Sequence, residues 1–292
     1  MEDLYLSAGI SRQAYSKWVN LPESKPISGD KQVVNLAKSV RKKYLPGSGV
    51  RSVYKYIRAI PELDSQLVGL GKHKFEQICH HHGLRIKAKQ YIPKTTVHGG
   101  FKFLNKIESL IIHDINKIFV SDICYIFGAE GARIGFATAI IDIYSRYLLG
   151  LVFSKTMKSS DTVIPALKQT FAKRKIEEFD DTFFHSDPGR QYIQSGFIEM
   201  LRGKNIDSSM SRSCYENPFA EAFNDTLKNH MLIEYEFTNF KQLKRKEKFI
   251  KYVYNNNKIH TSIGGITPAE YELNLASIEM KDRIGLEIKT ID

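Results

Sequence analysis

The chain has 292 residues, of which 42% are hydrophobic and 26% are charged, and its net charge at pH 7 is +11. This is the composition of a globular protein with room for about two domains. No stretch approaches the ~18 uncharged apolar residues of a membrane helix, and Glu2 and Asp3 stand where a secretory signal carries positive charge. We therefore expect a cytoplasmic protein that does not enter a membrane.

The positive charge is concentrated in the first third of the chain. Residues 1–100 hold 17 Lys and Arg against 7 Asp and Glu, whereas the remaining residues hold 26 against 25. Such charge attracts a phosphate backbone without regard to base sequence. The first third is therefore predicted to face a polyanion, and the alternative is a basic surface that only keeps the protein soluble.

Short helices separated by turns are predicted in this basic part of the chain. Apolar residues recur at helical spacing over residues 11–19, 30–44, 50–60 and 72–82. Basic helix-turn-helix patterns are typical of small DNA-binding modules, although most short helical pairs bind nothing. Arg41, Lys42 and Lys43, at the end of the second helix, are candidate contacts to DNA.

The character of the sequence changes after residues 87–106, whose Lys, Pro and Gly lack periodicity and indicate a linker. Three β-rich runs over residues 118–127, 133–142 and 145–154 follow. A helix over 161–175, a strand over 182–185, a helix near 193–202 and a strand over 206–210 come next. Three meandering strands followed by alternating helices and strands predict an α/β fold with a mixed sheet.

Two aspartates stand out on the predicted strands. Asp122 lies inside an apolar strand, where a lone carboxylate is costly unless a cation or hydrogen-bond donors compensate it. Asp187 follows an apolar strand at a Pro-Gly turn, and strand ends of α/β sheets line the usual ligand crevice. Each aspartate has a structural alternative, a hydrogen-bonded strand residue for Asp122 and a turn residue for Asp187.

A third carboxylate, Glu221, is predicted on the first turn of a helix. Asn217 is a strong N-cap and Pro218 suits the first helical position, so the start of this helix is well defined. Asp225 and Lys228 then follow Glu221 on one side of the helix at i+4 and i+7. The alternative is a solvated glutamate on a surface helix.

Together these segments resemble a known family, the IS3-type insertion-sequence transposases of the retroviral-integrase superfamily. The resemblance covers most of residues 5–275. It is carried by VSDICYI at 120–126, IDIYSR at 141–146, HSDPGRQY at 185–192, SMSR at 209–212, CYEN at 214–217, EAFNDTLK at 221–228, YNNNKIHTSI at 254–263, TPAEY at 267–271, and, ahead of the core, GISRQAYSKW at 9–18 and GLRIK at 83–87.

The resemblance implies a ribonuclease H-like catalytic core with an acidic triad of Asp122, Asp187 and Glu221. It implies that the triad holds two Mg²⁺ ions, with Mn²⁺ as a substitute, and that Asp122 bridges them. Lys228 is then expected to reach DNA beside the metals, and His185 and Arg190 to touch phosphate. The expected organisation is a DNA-binding helical region at 1–100, a linker at 101–112, the core at 113–275 and a tail at 276–292.

Asp142, on the second predicted strand, is the main rival for the second carboxylate. The family carries an aspartate there as well, but it assigns metal binding to the aspartate of the His-Ser-Asp motif, which favours Asp187. Residues 188–220 make 33 between Asp187 and Glu221, whereas the family often has 35, and we interpret the difference as loop variation. Lys258 stands where the family usually has Arg, which weakens a bidentate contact.

The predicted function is DNA transposition: cleavage at the ends of an insertion sequence and joining of the 3′-hydroxyl to another strand. The expected partners are DNA, further copies of the chain assembled on it, and a DNA-binding segment supplied by an upstream reading frame. A nucleoid-associated location follows from these partners. The alternatives are an inactive DNA-binding remnant and a ribonuclease H-like nuclease that does not join strands.

Overall fold

The computed structural model describes residues 28–67, 69–86, 103–129, 131–212 and 216–289, and the predicted helix over 11–19 lies outside them. Within the first third it contains α1 (Ser28–Tyr44), α2 (Val50–Arg58), α3 (Pro61–Asp64), a 3-10 turn (Ser65–Leu67) and α4 (Lys72–His81). The helices predicted over 30–44, 50–60 and 72–82 are confirmed to within two residues at each end.

These N-terminal helices share a small apolar core of their own. Ala37 and Val40 of α1 pack with Val53 and Ile57 of α2 and with Phe75 of α4. Ala37 and Val40 are three residues apart, and Val53 and Ile57 are four apart, so one stripe of α1 and one stripe of α2 face inward. The helices therefore form a packed unit before the central sheet begins.

The rest of the chain is built on a mixed sheet with strand order β4-β3-β2-β5-β6. The described strands are β1 (Ile111–Ile112), β2 (Ile118–Phe127), β3 (Arg133–Asp142), β4 (Leu148–Ser154), β5 (Thr182–Ser186), β6 (Ile206–Met210) and β7 (Leu286–Glu287). β2, β3 and β4 form an antiparallel meander, β5 pairs parallel with β2, and β6 pairs parallel with β5. This is the mixed sheet predicted from the sequence, and it is consistent with a ribonuclease H-like core.

Helices cover both faces of this sheet. They are α5 (Val163–Arg174), α6 (Ser195–Arg202), α7 (Pro218–Thr226), α8 (Phe240–Arg245), α9 (Glu247–Asn256) and α10 (Pro268–Leu275). Phe119 of β2 packs with α5 and α6 on one face, whereas Val120 and Cys124 pack with α7 and α9 on the other. Because side chains alternate along a strand, Asp122 shares the face of Val120 and Cys124 and points toward α7.

The predicted tail returns to the core. β7 pairs antiparallel with β1, so Leu286 lies opposite Ile112, and Ile288 beyond it is buried. Residues of the predicted linker also attach to the sheet edge, where Met210 N donates to Leu104 O. The described parts of 101–112 and 276–292 are therefore packed against the core, and the division into domains stays a prediction. No helix in the described ranges is long and apolar enough to cross a membrane.

Candidate active site

Strand register places Asp122 and Asp187 side by side. β2 and β5 run parallel, and Ser121 lies opposite Ser186 in their pairing. Asp122 follows Ser121 within β2, and Asp187 follows Ser186 where β5 ends. Two carboxylates thus meet at neighbouring positions of parallel strands, at the edge where α/β sheets bind ligands.

The Asp122 carboxylate is fixed by two donors and surrounded by like charge. Ile123 N donates to Oδ1 at 2.7 Å, and Asn224 Nδ2 of α7 donates to Oδ2 at 2.6 Å. Burial, followed by the charges of Asp187 and Glu221, raises the pKa of Asp122 to about 7, although Ile123 N–H and Lys228 act in the opposite direction. The two predicted partners therefore lie close enough to disfavour its ionised form.

Glu221 reaches this neighbourhood from the first turn of α7. Pro218 occupies the first helical position as predicted, and Glu221 N donates to Asn217 O at 3.2 Å. Asn224, one turn further along α7, donates to the Asp122 carboxylate. The regular α-helix ends at Thr226, so Lys228 lies in the π-helical turn Leu227–Met231 that continues it, and its charge acts on the pKa of Asp122 in the direction opposite to that of Glu221.

The three carboxylates interact electrostatically without yet forming a ligand cluster. Among the described residues, no group of three or more His, Cys, Asp or Glu side chains is arranged to hold a metal ion. The pKa of Asp122 nevertheless responds to Asp187 and to Glu221. The structure thus brings the predicted triad into one neighbourhood of excess negative charge.

Asp187 is held by neighbours that the sequence did not reveal. Its Oδ1 accepts from Ser211 Oγ at 3.0 Å and from Asn217 Nδ2 at 3.3 Å, and Asn217 Nδ2 also donates to Ser121 O at 3.1 Å. The predicted capping role of Asn217 is wrong, since its side chain makes no cap hydrogen bond and is 1% exposed. The sequence Asn-Pro at the start of a helix does not tell whether the asparagine side chain caps the helix or, as here, donates to Asp187.

Asp142, the rival candidate, lies in a different environment. Its fully buried carboxylate accepts from Arg174 Nη2 at 2.8 Å, Asn116 N at 2.7 Å and Tyr144 N at 3.0 Å. Arg174 also pairs with Glu272 at 2.7 Å. Burial raises the pKa of Asp142 to about 6, against the charge of Arg174. These contacts explain Asp142 as a structural residue and support the choice of Asp187.

The predicted DNA contacts divide into exposed and buried side chains. Lys42, Lys43 and Arg190 are exposed, and Lys228 is half-buried near Asp122. His185 is fully buried and its Nδ1 lies 2.9 Å from Ser209 Oγ. Burial lowers the pKa of His185 to about 4. A fully buried, neutral side chain cannot contact a phosphate, so the predicted contact of His185 is not compatible with the structure.

Arg41 is the second predicted contact that the structure does not support. It is 5% exposed, and its Nη2 forms an ion pair of 2.9 Å with Glu234 Oε1. Its Nη1 donates to Arg85 O at 3.1 Å. The charge of Arg41 is therefore matched inside the protein, whereas its neighbours Lys42 and Lys43 face solvent.

Comparison with known proteins identifies an integrase core domain in this part of the chain. Two models described as integrase core domain match residues 113–215 and residues 202–268. Solved structures with some likeness include the HTLV-2 integrase catalytic core domain in complex with magnesium, at 16% identity and a TM-score of 0.41 over 53% of this chain and 95% of that one. A simian T-cell lymphotropic virus intasome in complex with PP2A regulatory subunit B56 gamma matches at 15% identity and a TM-score of 0.43, over 81% and 73% of the two chains.

Curated relatives come from insertion elements. An IS600 protein of 31 kDa from Shigella sonnei is 25% identical over 90% of this chain and 95% of its own length. The putative transposase InsK of IS150 from Escherichia coli K12 is 30% identical over 53% and 54% of the two chains. Transposase InsF of IS3A from the same organism is 28% identical over 65% and 66%. The chain belongs to the IS3-type transposases and carries their integrase core domain.

Proposed function

We propose that the chain cuts DNA at the ends of an insertion sequence and joins the exposed 3′-hydroxyl to another strand, with Asp122, Asp187 and Glu221 as its catalytic residues. Membership of the transposase family supports DNA transposition in general. The observation that carries the finer proposal is the position of the buried Asp122 carboxylate beside Asp187 and Glu221; burial, and then these two charges, raise its pKa to about 7. Perturbed carboxyl groups of this kind concentrate at functional sites.

The donor set fits divalent cations. Carboxylate oxygens are the ligands that Mg²⁺ prefers, and because neighbouring carboxylates help to raise the pKa of Asp122, a cation that enters the site would stabilise it. Asp122, Asp187 and Glu221 would hold the two Mg²⁺ ions, and Mn²⁺ would substitute. When bound, such ions activate the attacking oxygen and stabilise the leaving one.

The surrounding residues orient this donor set. Ile123 N–H and Asn224 hold the two oxygens of Asp122, so that carboxylate has a fixed direction before substrate arrives. Ser211 and Asn217 do the same for Oδ1 of Asp187. Preoriented ligands lower the cost of ordering the site during the reaction. Asp122 must also lose its proton to hold a cation, and the charge of Lys228 favours that loss.

DNA would approach this site along exposed basic residues. We assign phosphate contacts to Lys228 beside the carboxylates and to Arg190, three residues beyond Asp187. The helical region at 1–100 would bind DNA through its excess positive charge, with Lys42 and Lys43 among the contacts. We also propose that several copies of the chain assemble on DNA, and that an upstream reading frame supplies a further DNA-binding segment.

The test uses duplexes that carry the terminal inverted repeats of the DNA element encoding the chain. We expect Mg²⁺-dependent cleavage at the repeat end, followed by labelled products in which that end is joined to a second duplex. Glu221→Gln should remove both products while retaining binding of the duplex. Cleavage without joined products would identify a nuclease, and binding without cleavage would identify an inactive remnant, so either result contradicts the proposal.

A further inference from the structure

Within the described residues, the helical region meets the core through a group of contacts that we call the docking contact. It joins Arg41, Tyr44 and Gly47 on the helical side to His230, Glu234 and Asn257 on the core side. Besides the ion pair of Arg41 with Glu234, Asn257 Nδ2 donates to Tyr44 O at 2.8 Å. His230 Nδ1 lies 3.4 Å from Gly47 O. The contact thus combines an ion pair, a hydrogen bond and a close backbone approach.

Arg41 supplies the charged part of the docking contact. A buried guanidinium is costly unless it is paired and hydrogen-bonded. Arg41 is paired with Glu234 of the core, and its Nη1 donates to the carbonyl of Arg85 in the segment after α4, whereas its Nε and Nη2 make no hydrogen bond among the described residues. The side chain therefore ties α1 to the core and to the end of the helical region at once.

Gly47 supplies the close approach. Its φ is +67°, in the left-handed region that favours glycine, and an added Cβ would lie 1.6 Å from the carbonyl oxygen of His230. Any other residue would force the helical region and the core apart at this point. The backbone of His230 can therefore be reached only because position 47 is a glycine.

The core side of the docking contact belongs to the element that carries the candidate chemistry. His230 lies in the π-helical turn Leu227–Met231, which continues α7 beyond Glu221 and contains Lys228. Such turns are rare in proteins and are frequently found at functional sites. Asn229 of the turn donates through Nδ2 to Oδ1 of Asp225 in α7 at 2.9 Å. Gly47 contacts the turn itself, and Arg41 holds Glu234 just after it.

We propose that Arg41 and Gly47 are positioning residues: by holding the π-helical turn, they place Lys228 for its contact with the DNA strand at the carboxylate site. The inference rests on the proposed function. It makes the helical region part of the catalytic unit, in addition to its role in binding DNA. It also gives Arg41 a task different from that of Lys42, its exposed neighbour.

The experiment compares Arg41→Met and Gly47→Ala with Lys42→Met, which removes the same charge from an exposed position of the same helix. Hydrogen exchange of the amides at 227–231 is measured first, on the full chain without DNA. We expect exchange to be faster by about tenfold or more in Arg41→Met and Gly47→Ala and unchanged in Lys42→Met. Glu234→Gln tests the same ion pair from the core side, should Gly47→Ala fail to fold.

Cleavage of the repeat-end duplex is measured next. Arg41→Met should lower kcat by about tenfold or more while KM and the salt dependence of binding stay within about twofold. Arg41→Lys, which keeps the charge opposite Glu234, should recover part of kcat. Lys42→Met should instead raise KM and reduce the salt dependence.

Two results would overturn the inference. One is normal protection of the 227–231 amides in Arg41→Met, and the other is a loss of salt dependence in Arg41→Met like that of Lys42→Met. If the unaltered chain neither cleaves nor joins DNA, the proposed function fails, and the exchange measurement still decides whether the docking contact holds the turn.

Discussion

Asp122 and Asp142 are aspartates on adjacent strands of one sheet, and the contrast between their surroundings is the reason for proposing Asp122, and not Asp142, as a catalytic carboxylate. Burial raises the pKa of both groups. Asp142 is compensated by the guanidinium of Arg174 and two backbone N–H groups. Asp122 has two donors as well, but its charged neighbours include Asp187 and Glu221. Burial alone therefore does not distinguish the two aspartates, and the proposal rests on the difference between the arginine that compensates Asp142 and the two carboxylates beside Asp122.

The largest expected effect is a loss of catalysis when Asp122 is replaced, with no such loss when Asp142 is replaced. Asp122→Asn should lower the rates of end cleavage and joining by about a thousandfold or more, because a ligand of the proposed metal site is lost. Asp187→Asn and Glu221→Gln should do the same. Rates are measured with the repeat-end duplex under single-turnover conditions. Asp142→Asn, in the fraction that folds, is the matched control, and an equal loss of rate there would erase the distinction.

The next effect concerns stability, for which Asp142 is expected to matter more than Asp122. Asp142→Ala should lower the free energy of unfolding by about 3 kcal/mol, because Arg174 stays buried with less compensation and two N–H groups lose their acceptor. Asp122→Ala removes a carboxylate that repels its neighbours, so its cost should be clearly smaller. Urea denaturation of the metal-free proteins measures both. A larger cost at Asp122 would show that its main role is structural.

Most of the fold could be predicted because its signals are local. The apolar runs over 118–127, 133–142 and 206–210 are strands with those same bounds. β4 begins at Leu148 and not at residue 145, because residues 143–147 form the connection from β3, with Arg146 at a φ of +62°. The order of meander, helices and parallel strands then determines which strand ends meet, and so brings Asp122 beside Asp187.

The supporting residues could not be predicted, because their roles depend on contacts far along the chain. Asn217 and Asn224 resemble ordinary helix residues in sequence, yet they hold Asp187 and Asp122. Arg41 is one of three consecutive basic residues, and only the tertiary structure shows that it pairs with Glu234. Charge in the sequence does not tell which side chains are buried, and His185 was misassigned for the same reason.

A smaller effect is expected at the asparagine that supports Asp187. Asn217→Ala removes a donor to Asp187 Oδ1 and should lower the cleavage rate by about 10- to 100-fold, as loss of a residue that orients a metal ligand typically does. Asn239, at the start of α8, is a matched control, since its side chain does cap its helix by accepting from Gln242 N at 3.1 Å. Asn239→Ala should cost about 1 kcal/mol of stability and leave the rate unchanged. Equal losses of rate would contradict the positioning role.

The smallest effect concerns pH and tests the charge environment directly. The pKa of Asp122 is raised to about 7 in the folded chain, against about 3.9 in an unfolded one. The folded state therefore binds this proton more tightly, and without metal its contribution to stability falls as pH rises from about 4 through 7. Mg²⁺ competes with the same proton, so its apparent affinity should fall by about tenfold between pH 8 and pH 6. Thermal unfolding with and without Mg²⁺ measures the difference.

Two variants show which aspartate causes this pH dependence. Asp142→Asn should keep the pH dependence of the stabilisation by Mg²⁺, because Asp142 is paired with Arg174 and lies three positions along β3 from Ala139, the residue opposite Asp122. Asp122→Asn should remove it together with most of the stabilisation by Mg²⁺, because the competing proton and a ligand are lost at once. Stabilisation by Mg²⁺ that is independent of pH between 6 and 8 in the unaltered chain would show that the ion binds away from Asp122. The distinction between the two aspartates would then have no bearing on metal binding.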